Sequence, residues 1–166
     1  SKTRKVFYTN PVNPKEEQHR VDYYLDLAKK IKEVNQIVNN GLKLEISKEE
    51  RIWAQQKLLE NNINPHKEKI LGIHVGGSWS TKRWPPKKFA VLADNLIDFN
   101  YKIIILGGPG DVTDAKLVEN TMNNQVLNLA GKTNLLQLAG LIDKFSLFIS
   151  GDTGPMHMAV ARNIKT

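Results

Sequence analysis

The residues whose types and spacing could do chemistry gather in Ser150-Gly-Asp-Thr-Gly-Pro-Met-His157. An apolar run of strand type, 145–149, leads into this turn, and Met158-Ala-Val-Ala161 continues it as a helix. A strand that passes through Gly-Asp-Thr-Gly straight into a helix leaves the first backbone N–H groups of that helix unpaired. Together with the positive end of the helix dipole they form an anion site. Gly151 and Gly154 let a ligand come close, Asp152 or Thr153 can cap the helix, and Pro155 suits a first helical turn. A plain, well-capped helix start is the competing reading. A second stretch of the same character, His74-Val-Gly-Gly-Ser-Trp-Ser-Thr-Lys-Arg-Trp-Pro-Pro86, favours the anion site. Lys82 stands in that glycine loop, where a cation could reach a diphosphate. His157, on the first turn of the last helix, is open between ligand contact and helix-start packing. His74 is expected to be buried and hydrogen-bonded in mid-strand, and Trp84 to be a packing anchor.

These loops need a frame to hold them. From residue 69 the pattern alternates strand and helix: strands over 69–75, 102–106, 126–129 and 146–150, helices over 86–99, 111–122 and 134–143. On the helices, Phe89, Leu92, Ala93 and Leu96, and then Leu135, Leu138, Ala139 and Ile142, recur at helical spacing and are expected inward. The run 102–106 is nearly all apolar, as in a parallel strand covered on both sides. Such alternation specifies an α/β fold with a parallel, doubly wound sheet and right-handed crossovers. Ligands bind such sheets beyond the carboxyl ends of the strands. All four loops at that edge are rich in glycine or small polar residues: Gly76-Gly-Ser, Gly107-Gly-Pro-Gly-Asp, Ala130-Gly-Lys-Thr and Gly151-Asp-Thr-Gly. Four of them on one sheet edge favour a nucleotide-sized ligand. No Gly-x-Gly-x-x-Gly follows the first strand, and Gly131-Lys-Thr133 lacks the upstream glycine of a phosphate-binding P-loop.

Residues 1–66 read differently. Pro11 and Pro14 argue for an extended start. Val21, Tyr24, Leu25, Ala28, Ile31 and Val34 predict an amphipathic helix ending near 39–41, with His19 a surface residue at its start. Residues 42–46 alternate as a short strand or extended linker. Ser47-Lys-Glu-Glu50 is a capping box for a helix reaching about residue 60, with Trp53, Leu58 and Leu59 inward. The absence of cysteine excludes disulfides, thiolate metal sites and thiol catalysis, and no His/Asp/Glu set has metal-ligand spacing. No run is apolar enough to span a bilayer, and no secretory signal opens the chain, so a cytoplasmic protein is the expectation. The net charge of +7 is spread along the chain apart from Lys82, Arg83, Lys87 and Lys88. That fits phosphate binding at a site better than a nucleic-acid stripe, and no nucleic-acid partner is expected. The chain begins in mid-pattern and stops just after a helix, so it is expected to be part of a longer polypeptide.

Gly76-Gly-Ser-Trp-Ser-Thr-Lys-Arg-Trp-Pro-Pro86, Leu106-Gly-Gly-Pro-Gly-Asp111, Asn128-Leu-Ala-Gly-Lys-Thr133 and Gly151-Asp-Thr-Gly-Pro-Met-His157, in that order, resemble the bacterial ADP-heptose:lipopolysaccharide heptosyltransferases, glycosyltransferase family nine. The resemblance covers 70–164, and more weakly 1–60. It implies a GT-B fold of two Rossmann-like domains. This chain would carry the C-terminal, Rossmann-like nucleotide-sugar-binding domain over 67–166, truncated at its end. Residues 1–66 would be a helical remnant of the N-terminal domain and linker. It also implies an inverting, metal-independent transfer of heptose from ADP-heptose to the inner core of lipopolysaccharide, with no cofactor besides the ADP-sugar substrate. By resemblance, Gly77, Ser78 and Lys82 meet the donor phosphates, Asp111 the ribose hydroxyls and Thr133 the adenine. Asp152 would hold the sugar, the Thr153 and Gly154 amides the diphosphate, and His157 matches the family's histidine. Lys82 and Asp152 are the catalytic candidates, through donor activation. The catalytic base and the lipopolysaccharide acceptor site are assigned to the N-terminal domain, so the isolated piece is expected to transfer no sugar. Peripheral association with the cytoplasmic face of the inner membrane is a further implication. The rival readings are a non-catalytic nucleotide-binding module and a family member using another nucleotide sugar.

Overall fold

The computed structural model describes residues 17–30, 37, 41–77 and 79–166. Contacts divide the chain after Gly41. In the first unit one helix is described, α1 (Arg20–Ala28), whose start is capped by the His19 side chain accepting the Val21 N–H. None of its residues is buried. The predicted positions Ile31 and Val34, and the extended start at 1–15, lie outside the described residues.

The second unit runs from Leu42 to Thr166. Its order is α2 (Lys48–Leu59), β1 (Lys69–His74), α3 (Pro86–Ile97), β2 (Tyr101–Leu106), α4 (Val112–Thr121), β3 (Leu127–Asn128), α5 (Leu135–Ile142), β4 (Leu147–Ser150) and α6 (Gly154–Ala161). Short 3-10 turns occupy Ser80–Lys82 and Pro109–Asp111. The strands form one sheet in the order β3-β2-β1-β4, all parallel. The chain therefore steps outward from β1 to β2 to β3, then crosses back to lay β4 on the other side of β1. After α6 it returns beside β4, where Phe148 donates its N–H to Lys165 O at 2.8 Å.

Strand alternation sorts the core into two layers. Ile70, Ile104, Leu106 and Phe148 point to one face, against Ala54 and Leu58 of α2, Leu138, Leu141 and Ile142 of α5, and Ala159 of α6. Leu71, Ile73, Ile103 and Ile105 point to the other, against Phe89, Ala90 and Ala93 of α3 and Ala115 and Val118 of α4. A sheet covered on both faces needs apolar residues at consecutive positions, which is why β2 reads as an unbroken run.

α2 belongs to this unit. Its Ser47 cap accepts the Glu49 and Glu50 N–H groups, and its hydroxyl donates to the Glu50 carboxylate. The contact boundary thus lies at 41/42, upstream of the sequence boundary at 66/67. Residues 42–46 are extended without strand pairing, and Ile46 is buried. Two inward expectations are corrected. Leu59 is exposed, because the buried stripe of α2 is Ala54 and Leu58 alone, with Trp53 packed at its margin. Leu135 is 70% exposed, because the first turn of α5 overhangs an open cleft rather than the sheet. Leu92 and Leu96 are half-buried beside the buried Phe89 and Ala93.

Candidate functional site

The reversal in strand order places the carboxyl ends of β1 and β4 side by side, with His74 paired to Ser150 in register. This is the switch point where open α/β sheets bind ligands. The β1–α3 loop carrying Lys82 and the β4–α6 turn both leave the sheet there, which brings together the two stretches singled out in the sequence.

The β4–α6 turn confirms a helix start and corrects its capping. Thr153 is the N-cap residue of α6, yet no side chain caps the helix. The Thr153 hydroxyl is engaged instead with the Ser150 hydroxyl at 2.8 Å, and Asp152 turns away to Lys82. Pro155 has no N–H to satisfy. The leading amides of Gly154 and Met156 are thus left without a side-chain acceptor, at the positive end of α6.

Lys82 Nζ lies 2.5 Å from Asp152 Oδ2, and His157 Nε2 lies 3.6 Å from Asp152 Oδ1. The hydrogen bond from Lys82, and then its charge, hold the Asp152 carboxyl below the usual carboxylate range, with His157 adding less. Lys82 and Asp152 are 46% and 62% exposed, so water screens the pair and it can be exchanged at small cost.

Between the loops lies a cleft of about 480 Å³, a size suited to a small ligand. Of the expected donor residues, Gly77, Asp111, Thr133, Thr153 and Gly154 line it. Lys82, Asp152 and His157 form the ion cluster beside lining residues Arg83 and Thr153. Ser78 lies outside the described residues. Pro109, Leu135 and Leu138 add apolar lining to the cleft. That lining was missed because Leu135 and Leu138 read as core positions.

Asp111 is turned inward, its side chain 13% exposed. Its Oδ2 accepts the Gly108 N–H at 2.8 Å, and its Oδ1 meets Arg83 Nη2 at 3.2 Å. A Cβ on Gly76 would come within 2.3 Å of Oδ2, so the bare glycine is what makes room for the carboxylate. Both oxygens already have partners, which leaves only their remaining lone pairs for a ribose. Arg83, read in the sequence only as part of a basic cluster, also donates from Nε to Gly77 O at 2.8 Å and from Nη1 to Asp114 at 3.2 Å.

His74 is buried as expected, at 7% exposure, and a hydrogen bond to the Gly76 backbone engages its ring, while its Nδ1 has no hydrogen-bond partner among the described residues. Burial lowers its pKa, opposed by the negative charge of Asp111 and by the Gly76 backbone. It lines the cleft. The strand period could have flagged it: His74 shares a face with Ile70 and Gly72, at the carboxyl end of β1. Trp84 does anchor packing, meeting the Phe89 ring edge-to-face at 4.9 Å. Among the described residues no cluster of His, Asp and Glu is arranged to hold a metal ion, and no helix is long and apolar enough to cross a membrane.

A family model described as glycosyltransferase family 9 (heptosyltransferase) matches residues 1–166. The chain belongs to that family. It is 29% identical over 171 residues to lipooligosaccharide heptosyltransferase 2 of Campylobacter jejuni, covering 99% of this chain and 50% of that protein. A crystal structure of a family 9 glycosyl transferase from Veillonella parvula superposes with a TM-score of 0.83 at 28% identity, over 93% of this chain and 44% of that one. The E. coli ADP-heptose lps heptosyltransferase II superposes at 0.63 and 28% identity, over 73% of this chain and 37% of that one. The chain spans half or less of the length of each of these relatives. The α/β, Rossmann-like reading and the family 9 resemblance therefore both hold.

Proposed function

We propose that this chain is the donor-binding part of an inverting glycosyltransferase that moves heptose from ADP-heptose to the inner core of lipopolysaccharide. The observation that carries the reading is the uncapped start of α6, set at the sheet's switch point beside an exchangeable Lys82–Asp152 pair. The diphosphate lies on the Thr153 and Gly154 amides. Lys82 leaves Asp152 for a phosphate oxygen, which frees the Asp152 carboxylate to accept hydroxyls of the sugar. The adenosine extends along Thr133, Leu135 and Pro109, with Asp111 at its ribose. During transfer the anomeric carbon–oxygen bond to the diphosphate breaks as the acceptor oxygen bonds from the opposite face. Negative charge grows on the departing ADP, where preorganised amides and a fixed cation stabilise it without a metal. A group outside these residues takes the acceptor proton, as the family resemblance implies, and the acceptor is held there too. Work at the cytoplasmic face of the inner membrane belongs to the same proposal.

Calorimetric titration with ADP, ADP-heptose, UDP and GDP tests it. ADP and ADP-heptose bind in preference to the other two, and Lys82→Ala weakens both by about tenfold or more, the worth of a charge-assisted contact. Equal binding by Lys82→Ala, or no ADP binding by the parent, overturns the assignment. Preference for UDP or GDP would move the chain to a different nucleotide sugar.

A further inference from the structure

We infer that Arg83 is the positioning residue of this site: it sets where Lys82 stands without itself holding the diphosphate. The inference rests on the donor reading above. Three different nitrogens of the guanidinium meet three oxygens from separate parts of the fold. Nε donates to Gly77 O at 2.8 Å within its own loop, Nη1 donates to Asp114 at 3.2 Å in the first turn of α4, and Nη2 forms an ion pair with Asp111 at 3.2 Å in the β2–α4 loop. A planar fork of fixed, separated donors suits such a task, whereas a lysine ammonium presents its three donors from a single rotatable nitrogen and does not reproduce that spread.

The anchor is itself rigid. The Asp111 side chain occupies space left by two glycines, since a Cβ would come within 2.3 Å of it at Gly76 and 2.8 Å at Gly107. The Gly108 N–H fixes its second oxygen. Arg83 directly follows Lys82 and closes the 3-10 turn by donating its N–H to Ser80 O at 3.2 Å. On its other side, the Lys82 carbonyl rests against Gly151, where a Cβ would stand 3.0 Å away. The Lys82 backbone is thus held between the Arg83 anchor and the β4–α6 turn. A lysine head on a flexible four-carbon stem acts at a defined point only if its base is fixed in this way.

A double-substitution cycle with ADP tests the role, because Arg83 also lines the cleft and direct contact must be separated from positioning. Arg83→Gln weakens ADP about tenfold in the parent, whereas the same change in Lys82→Ala alters affinity by less than about twofold, since a residue acting through Lys82 has nothing left to act on. Arg83→Lys, which keeps the charge and disturbs the fold least, restores less than half of the loss. Parent-like binding by Arg83→Gln, additive losses in the double variant, or full rescue by Arg83→Lys each overturn the role of Arg83 while leaving the donor site intact. A parent chain that fails to bind ADP overturns the donor reading and the role of Arg83 with it.

Discussion

At the scale of single residues, His74 is a titratable group that the fold buries. In the unfolded chain it titrates near its usual value of 6.5; in the fold, burial lowers that value. Between the two values the unfolded state binds more protons, so stability falls as the pH drops below about 6.5, and the loss is complete below the folded value. Urea unfolding of the parent should therefore show a falling midpoint between about pH 7 and pH 5, with a shallower fall in His74→Phe, which cannot take up the proton. Identical slopes would remove His74 from the account. The phenylalanine also removes a buried nitrogen without a partner, worth about 1–3 kcal/mol, so the variant should lose little stability near neutral pH. The residue scale is also where sequence reading reached least far. Lys82 and Gly154 were legible because glycine loops before helices carry a local signature. The inward turn of Asp111 was not, because it depends on a missing side chain at Gly76, far along the chain, as well as at the nearby Gly107. The pairing of Lys82 with Asp152 joins residues that only the order of the strands brings together.

At the scale of elements, α2 and α5 meet through Gly140. A Cβ there would stand 2.5 Å from the Glu50 carbonyl oxygen and 3.0 Å from its carbon, both backbone atoms that cannot swing aside. Gly140→Ala should gain helix propensity locally yet lose about 1–3 kcal/mol overall, because the helices must part to admit the methyl group. Thermal unfolding decides between them: a raised midpoint would mean that the helices accommodate it freely. This contact also explains what was misread nearby. Periodicity gave α5 a face that includes Leu135, but the helix lies on the sheet only from Leu138 onward, and its first turn belongs to the cleft. Periodicity identifies a stripe; the crossing geometry decides how much of it is covered. The strands were legible for the converse reason, since a layer buried on both faces leaves little choice of residue.

At the scale of the second unit, Asp143 ties together segments that the sheet alone would not join. Its carboxylate, 12% exposed, receives Arg162 of the α6 C-terminus through Nε at 2.9 Å and Nη2 at 2.6 Å, and Arg51 of α2 at 2.9 Å. Arg162 continues to the Leu44 carbonyl at 3.2 Å, in the extended stretch ahead of α2. Removing one partner of such a cluster strands the others, so Asp143→Ala should lose about 3 kcal/mol, with hydrogen exchange quickening first in α2 and around residues 42–46. Uniform quickening across the sheet would instead make Asp143 an ordinary contributor. Nothing local in the sequence marks this junction, because its members come from three helices and a connector.

The arrangement around Lys82 has a bearing on selectivity. With that ammonium answered by Asp152 and the guanidinium of Arg83 answered by two aspartates, neither of these two cations meets an arriving anion unpaired. On the donor reading, entry then has a small threshold: the newcomer must displace a screened carboxylate before gaining anything from the lysine. A lone inorganic phosphate replaces one partner with another and profits little. A pyrophosphate that spans the helix start and the lysine together clears that threshold, so the ion pair sorts ligands by reach rather than by charge.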